Sequence, residues 1–129
     1  MNVNNKISLF RSYYETDPWA SISILDFASN VIICDYEAEI TELRKSEDKK
    51  VRDEIKAKLP AVTVSGTFRE RKNTGLINHS GFICVDFDEK KNPHVSDWAE
   101  ARDNIGSLAE VLFCALSVSA RGCFAIIPV

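Results

Sequence analysis

The stretch GFICVDFDEKKN at residues 81–92 decides how the chain is interpreted, because its apolar run ends in two carboxylates. Asp86 and Asp88 lie two positions apart, and residues i and i+2 of a β-strand point to the same side of a sheet. Two like charges on one face repel each other unless water or a cation separates them, and Mg²⁺ prefers such oxygen ligands. The pair therefore predicts a divalent metal site. The alternative is a strand that simply runs out into the polar residues Glu89–Lys91.

The region before residue 79 is predicted to contain helices and short strands. A strand is predicted at 7–10, and the apolar spacing at 21–46 predicts a helical region with a break near Cys34–Asp35. An amphipathic helix follows and ends at Pro60, and 61–68 is predicted to be one strand. We expect these upstream helices to cover one face of a sheet.

From residue 79 onward, the predicted order is strand, helix, strand, strand. Ser96 is expected to cap a helix that runs to about Ile105, and strands are predicted at 111–118 and 122–129. This is three-quarters of a ferredoxin-like or RRM-like β-α-β-β-α-β unit. We therefore predict an α+β fold in a single domain, 1–129, with a mixed sheet whose C-terminal part is truncated. The last strand would then be an open sheet edge through which two copies could pair.

Composition excludes several classes of protein. The net charge is −3, with 16 basic and 19 acidic residues, so the whole surface does not coat nucleic acid. No apolar run approaches the roughly 18 residues of a membrane span, and the start lacks the features of a signal peptide. The four cysteines form no CxxC pair and lie in apolar runs, which predicts buried reduced thiols rather than zinc ligands or disulfides. We therefore expect a cytoplasmic protein.

A second candidate site is SVSARGCF at residues 117–124. Ser117 and Ser119 offer hydroxyl donors, Arg121 offers a forked cationic donor, and Gly122 allows close approach of the backbone. These features suit a phosphate cradle, and the alternative is an ordinary turn with one exposed arginine. An RRM-like sheet order would place this hairpin beside the strand that carries Asp86.

The strongest local group of basic residues is Arg69, Arg71 and Lys72 in RERKNTG, residues 69–75. Basic side chains beside a turn can contact nucleic-acid phosphates, so these three are predicted to bind nucleic acid. A charged, solvated turn is the ordinary alternative.

Three segments together resemble the VirE N-terminal-domain family of bacterial mobile-element proteins, which looks like a divergent branch of the primase-polymerase superfamily. They are KLPAVTVSGTF (58–68), HSGFICVDFDE (79–89) and SVSARGCFAIIPV (117–129). The resemblance implies that Asp86 and Asp88 are catalytic and hold Mg²⁺ or Mn²⁺. It implies that Ser117, Ser119, Arg121 and Gly122 bind nucleotide, although Ala120 stands where the family pattern usually has glycine. A third carboxylate motif is expected beyond residue 129, which would make the chain the N-terminal fragment of a longer protein.

Three hypotheses about function follow. The first is a metal-dependent nucleotidyltransferase core, completed by downstream residues, that acts on nucleotide and single-stranded or primed DNA with replication or mobilisation proteins of the element. The second is a catalytically degenerate module of the same fold that binds nucleic acid or protein. The third is an interaction domain whose sheet edge docks a partner.

Overall fold

The computed structural model describes residues 1–129, which form four α-helices and eight β-strands arranged in three small antiparallel sheets. In chain order the elements are β1 (Lys6–Phe10), β2 (Ala20–Ser23), α1 (Ile24–Ile33), α2 (Glu37–Lys45), α3 (Lys49–Lys58), β3 (Ala61–Thr63), β4 (Gly66–Phe68), β5 (Leu76–His79), β6 (Phe82–Asp88), α4 (Trp98–Gly106), β7 (Phe113–Leu116) and β8 (Gly122–Pro128). The predicted α+β fold is confirmed, but the sheets are antiparallel rather than mixed. None of the helices has the length and apolar character that a membrane-spanning segment needs.

The helical region predicted at 21–46 begins later than expected, because its first residues form β2. β2 pairs with β1 in an antiparallel ladder, and Ser23 ends the strand by accepting a hydrogen bond from the Asp26 amide at 3.0 Å. This serine cap starts α1. The predicted break occurs at Cys34, whose φ of 51° lies in the left-handed region and ends the helix.

The single strand predicted at 61–68 is two strands in different sheets. β3 pairs with β1, which gives the order β2-β1-β3, whereas β4 pairs with β5. The chain turns between them, and the Thr63 hydroxyl donates to the Gly66 carbonyl at 3.0 Å. Gly66 has a φ of 156°, and a Cβ there would lie 2.0 Å from the Asn78 carbonyl oxygen of β5. Close packing of the two backbones therefore requires glycine at this position.

The third sheet has the order β6-β8-β7, with both pairs antiparallel. This is the order of the first three strands of the β-α-β-β-α-β unit, and α4 packs against β7 and β8. The expectation that residues 122–129 form an open edge is wrong, because β8 is the central strand and both its sides are occupied. A dimer through that strand is therefore excluded by the ladder, and the edges of this sheet are β6 and β7.

The main hydrophobic core joins residues from both halves of the chain. Its buried members are Ile7, Ile24, Val64, Phe82 and Ile126. Phe82 and Ile126 come from the third sheet, so the side of that sheet opposite α4 faces the N-terminal elements. The buried Ser80 supports the junction: its hydroxyl donates to the Val64 carbonyl at 2.6 Å and accepts from the Phe82 amide at 3.1 Å.

Candidate functional site

Asp86 and Asp88 lie on one face of β6, as their spacing predicts, and both side chains are exposed. Asp86 pairs with Phe124 of β8, and Asp88 pairs with Gly122. Their Cα atoms are about 6.6 Å apart, as for any i, i+2 pair in a strand. They share this face with Phe82, so the carboxylates continue the surface that packs on the N-terminal elements.

The carboxylates of Asp86 and Asp88 differ in their hydrogen-bond partners. One oxygen of Asp88 accepts a hydrogen bond from the Lys91 amide at 3.0 Å, and its carbonyl accepts from the Asn92 amide at 3.1 Å. Asp88 therefore stabilises the turn that follows β6. Asp86 makes no ion pair. No group of three or more His, Cys, Asp or Glu side chains is placed to hold a metal ion. The donor set is two carboxylates, which suits an ion that keeps waters or takes ligand phosphates as its other partners.

Cys84 precedes the carboxylates on the same face of β6. The sequence predicts that this cysteine is buried, but it is exposed. Desolvation in the sheet, and then the negative charge of Asp86, raise the pKa of its thiol to about 11. The raised pKa makes the free thiol a weaker nucleophile at neutral pH. All four cysteines are free; Cys123 is buried, and Cys34 and Cys114 are half-buried.

The serine-rich hairpin lies across β8 from Asp88. Because Ser117 hydrogen-bonds to Gly122 and Gly122 pairs with Asp88, the Ser117 and Asp88 Cα atoms are two strand spacings apart, about 10 Å. The Ser117 and Ser119 hydroxyl oxygens are 3.2 Å apart, and the Arg121 amide donates to Ser119 at 3.3 Å. The strand order thus brings hairpin and carboxylates to neighbouring positions, as expected from the RRM-like prediction.

Ala120 adopts a φ of 59° at the tip of this hairpin. The left-handed conformation costs roughly 1–2 kcal/mol for a residue with a Cβ. The hairpin therefore keeps a glycine-type conformation although the residue is alanine.

Two residues predicted to bind nucleotide have other contacts. Arg121 faces Glu89 in the continuation of the β6–β8 ladder, and its guanidinium lies 3.8 Å from the Glu89 carboxylate. Since odd-numbered residues of these strands lie on the α4 side, Arg121 is not on the face that carries Asp86. Gly122 is buried, and a Cβ there would lie 2.3 Å from the Phe87 carbonyl oxygen. Its lack of a side chain is required by the packing of β8 against β6.

A cation that sequence reasoning missed lies beside the hairpin instead. Arg44 at the end of α2 donates to the carbonyls of Val118 at 3.1 Å and Ser117 at 3.2 Å. More than 70 residues separate these partners, so no local pattern in the sequence indicates the contact.

The three residues of the predicted basic cluster have different environments. Arg71 lies over the rings of Phe10 at 5.0 Å and Tyr13 at 5.3 Å, and its guanidinium donates to the Tyr13 carbonyl. Lys72 forms an ion pair with Glu70 at 3.1 Å. Arg69 is exposed and has no ion pair.

Arg71 joins the 69–75 turn to the loop between β1 and β2, since its amide also donates to the Thr16 carbonyl at 2.8 Å. That loop carries three exposed aromatic side chains: Tyr13, Tyr14 and Trp19, which are 59%, 77% and 54% exposed. Arg11 lies 5.0 Å over the Trp19 ring, and the Tyr13 and Tyr14 rings meet edge to face at 5.7 Å. We name this region the aromatic-basic surface; it consists of Arg11, Tyr13, Tyr14, Trp19, Arg69, Arg71 and Lys72.

Sequence reasoning found three of the four basic residues of this surface and missed Arg11 and the aromatic rings. The signal was present, because RSYYETDPW places three aromatic residues and an arginine within nine positions of a polar segment. An open depression of about 450 Å³ lies at its border, lined by Ser12, Tyr14, Glu54, Ala57 and Lys58. A second, of about 440 Å³, lies between α2 and α3. Neither is at the carboxylates.

A family model described as BT4734-like, N-terminal domain matches residues 54–129, more than half of the chain. The chain belongs to this family. The resemblance to the VirE N-terminal-domain family and the primase-polymerase superfamily is therefore wrong, because the family that matches is a different one. Comparison with curated proteins and with solved structures gives no match.

The BT4734-like match includes the carboxylates, the serine hairpin and the 69–75 turn, whereas the aromatic loop at 11–19 lies outside it. The roles that rested on primase kinship lose that support. What remains for each residue is the geometry described above.

Proposed function

We propose that this BT4734-like domain is a module that binds single-stranded nucleic acid through the aromatic-basic surface. The observation that carries the proposal is the group of three exposed aromatic rings beside arginines that have no acidic partner. Trp19 and Tyr14 expose more than half of their surface, although burial of such rings is strongly favourable. Unstacked bases offer π-faces that cover rings of this kind without regard to sequence.

The positions of the arginines fit the same ligand. Arg11 and Arg71 already lie over aromatic rings, and a guanidinium in this position can also contact a phosphate between two stacked bases. Their placement is fixed by backbone contacts: the Glu15 carboxylate accepts from the Arg11 amide at 3.1 Å, and Arg71 is held by Tyr13. The surface is thus formed before a ligand arrives.

Charge limits the electrostatic part of binding. Lys72 is paired with Glu70, which leaves Arg11, Arg69 and Arg71 as cations of this surface without an ion pair. Three phosphate contacts give a slope of about −2 for log K against log salt on single strands. Binding should therefore depend more on stacking than on charge, in agreement with the net charge of −3.

The test uses fluorescently labelled oligo(dT) and oligo(rU) of 12 nucleotides. Trp19→Ala and Tyr14→Ala should each weaken binding about 5- to 100-fold, since one stacked base contributes about 1–3 kcal/mol. Because Trp98 is buried, quenching of tryptophan fluorescence on binding should disappear in Trp19→Ala. Fluorescence anisotropy at several salt concentrations measures both affinity and slope.

Matched controls distinguish this surface from general attraction. Tyr36→Ala removes an exposed aromatic ring outside the aromatic-basic surface, and Lys50→Ala removes an exposed charge on α3. These two control variants should keep wild-type affinity. Arg69→Ala removes an exposed charge on the proposed surface and is compared with Lys50→Ala. Equal losses in Lys50→Ala and Arg69→Ala, or unchanged affinity in Trp19→Ala, would contradict the proposal.

A second candidate function is a divalent-metal and phosphate site at Asp86 and Asp88, favoured by their common face and by the absence of an ion pair at Asp86. Bound Mg²⁺ or Mn²⁺ would supply Lewis-acid stabilisation of a ligand's phosphate oxygens. Asp86 and the oxygen of Asp88 that the Lys91 amide does not engage would hold the ion. Ser117 is the nearest hydroxyl donor of the hairpin on the same face.

Titration with Mn²⁺, followed by amide NMR, tests this site. Line broadening should begin at residues 84–89 and should be lost in Asp86→Asn. The acidic surface around Glu39, Glu42 and Glu54 is an internal control, because it also attracts cations without the strand geometry. If broadening at that surface begins at the same Mn²⁺ concentration as at β6, the site is not specific.

A further inference from the structure

The depression of about 450 Å³ at the border of the aromatic-basic surface lies between the β1–β2 loop and the end of α3. Tyr14 of the loop and Ala57 of the last helical turn both line it. The Tyr13 amide donates to the Ala57 carbonyl at 3.1 Å, so a backbone hydrogen bond holds the loop against the helix. Carbonyls in the last turn of a helix have no partner within that helix, which leaves the Ala57 oxygen free for this contact. The walls of the depression are therefore in place before a ligand binds.

The depression has the size and one wall that a nucleobase needs. Ligand pockets in proteins begin at about 300 Å³, which this volume exceeds. The Tyr14 side chain is 77% exposed, more than Tyr13 or Trp19, so its ring is open to a ligand. A base that stacks on Tyr14 lies at the depression, with its edge directed toward the remaining lining residues.

Two of those lining residues are charged and of opposite sign: Glu54 and Lys58. They are four positions apart on α3, which makes them neighbours on one face of the helix. Despite this spacing they form no ion pair with each other, and neither is paired with another charged residue. Both are exposed. One hydrogen-bond acceptor group and one donor group are therefore free beside the position of a base on Tyr14.

The Glu54 carboxylate selects among the bases. A carboxylate repels phosphates, and its two oxygens only accept hydrogen bonds, so it favours a base edge with two adjacent donors. Guanine has such an edge: N1–H and the N2 amino group lie side by side, with the O6 acceptor next to them. Uracil and thymine have one donor between two acceptors, and adenine and cytosine present one donor beside an acceptor. Lys58 can donate to O6, so the two side chains together complement the Watson–Crick edge of guanine.

The same two side chains also border the second depression, between α2 and α3. That lining adds Glu39 and Glu42 to Glu54, and Lys58 is its single cation. Three carboxylates would repel the phosphates on either side of a base, whereas the depression at Tyr14 adjoins the arginines of the aromatic-basic surface. The charges therefore favour the depression at Tyr14 for a nucleotide.

We propose that this depression is a guanine-selective subsite. The guanine ring stacks on Tyr14, its N1–H and N2 amino group donate to the Glu54 carboxylate, and Lys58 donates to O6. The inference rests on the proposed function, because the aromatic-basic surface supplies the contacts to the rest of the strand. It adds one position that depends on base identity to a surface whose other contacts accept any base.

The test uses the 12-nucleotide oligo(dT) with one central residue replaced by dG, deoxyinosine, dA or dC, measured by fluorescence anisotropy. The dG strand should bind about 5- to 30-fold more tightly than the dA strand, which controls for the stacking of a purine. This is the lower part of the range for a bidentate base contact, because the depression is open to water. Deoxyinosine lacks the N2 amino group and should lie between dG and dA. N1-methylguanine should bind no better than dA.

Glu54→Gln separates base recognition from a structural role. The side chain is exposed, so the circular dichroism spectrum should not change, and the affinity ratio of dG to dA should fall close to one. Affinity for unmodified oligo(dT) should stay the same or rise, because a negative charge near the phosphates is removed. Glu39→Gln is the matched control: it neutralises an exposed carboxylate that lines only the second depression, and it should keep the preference for dG.

Equal affinities for dG and dA in the wild-type chain, or a full preference for dG in Glu54→Gln, would overturn the subsite. Binding of oligo(dT) that depends on Trp19 and Tyr14 would then still support the proposed function. If no strand binds, the proposed function fails, and amide NMR with free GMP decides the inference. Shifts at residues 12–14 and 54–58 that are absent with AMP and lost in Glu54→Gln would support the subsite. Equal shifts with GMP and AMP, or none, would overturn it.

Discussion

Phe82→Ala is expected to lower the free energy of unfolding by about 3–5 kcal/mol, which is the usual cost of truncating a fully buried phenylalanine. The ring has no exposed surface and packs with Ile7, Ile24, Val64 and Ile126. Small domains are stable by only about 5–15 kcal/mol, so this variant would be close to unfolding. Urea denaturation followed by circular dichroism measures the change as a lower midpoint at an unchanged slope.

Two other substitutions serve as controls for Phe82. Phe82→Leu retains most of the volume and should cost only about 1–1.5 kcal/mol. Ile83→Ala, one position along β6 but exposed, should cost about 1 kcal/mol or less. A loss at Phe82→Ala no larger than at Ile83→Ala would mean that the core does not join the two halves as described.

Gly122→Ala is expected to destabilise the fold by about 2–3 kcal/mol, because the added methyl group would lie 2.3 Å from the Phe87 carbonyl oxygen. The atom in the way is backbone in the neighbouring strand, so a side-chain rotation cannot relieve the clash. The loss should be the same with and without nucleotide. Thermal and urea denaturation measure it, and NMR should show the largest shifts in β6 and β8.

Gly106→Ala is the matched control, since it adds the same methyl group at the end of α4. A Cβ there would lie 3.5 Å from the Cys114 Cβ, an ordinary contact, and alanine is favoured over glycine in helices by about 1 kcal/mol. We expect unchanged or higher stability. If Gly122→Ala keeps wild-type stability but changes ligand binding, Gly122 belongs to a binding site after all.

Much of the second half of the fold could be predicted from the sequence. The alternation in β6, the helix α4 and the two apolar strands follow local rules, although Asp97 rather than the predicted Ser96 caps α4. The RRM-like order placed the serine hairpin beside Asp86. The same order places β8 between β6 and β7, so the expected open edge at 122–129 was inconsistent with it. β2 and the division of residues 61–68 between two sheets were missed, because short strands carry weak periodicity.

For the candidate site, the sequence predicted positions better than roles. The spacing of Asp86 and Asp88 placed them on one face correctly. Residue type alone could not indicate that Arg121 pairs with Glu89, that Gly122 is required for packing, or that Arg71 covers Phe10 and Tyr13. These contacts join distant segments, and each involves a residue that the sequence predicts to bind a ligand.

The shared core has a consequence for how the family boundary is used in practice. The BT4734-like match begins at residue 54, yet Phe82 and Ile126 are covered by Ile7 and Ile24, which precede it. A recombinant fragment trimmed to 54–129 would expose these side chains to water and would tend to aggregate. The family match therefore covers residues 54–129, whereas the packed core also needs residues that precede the match.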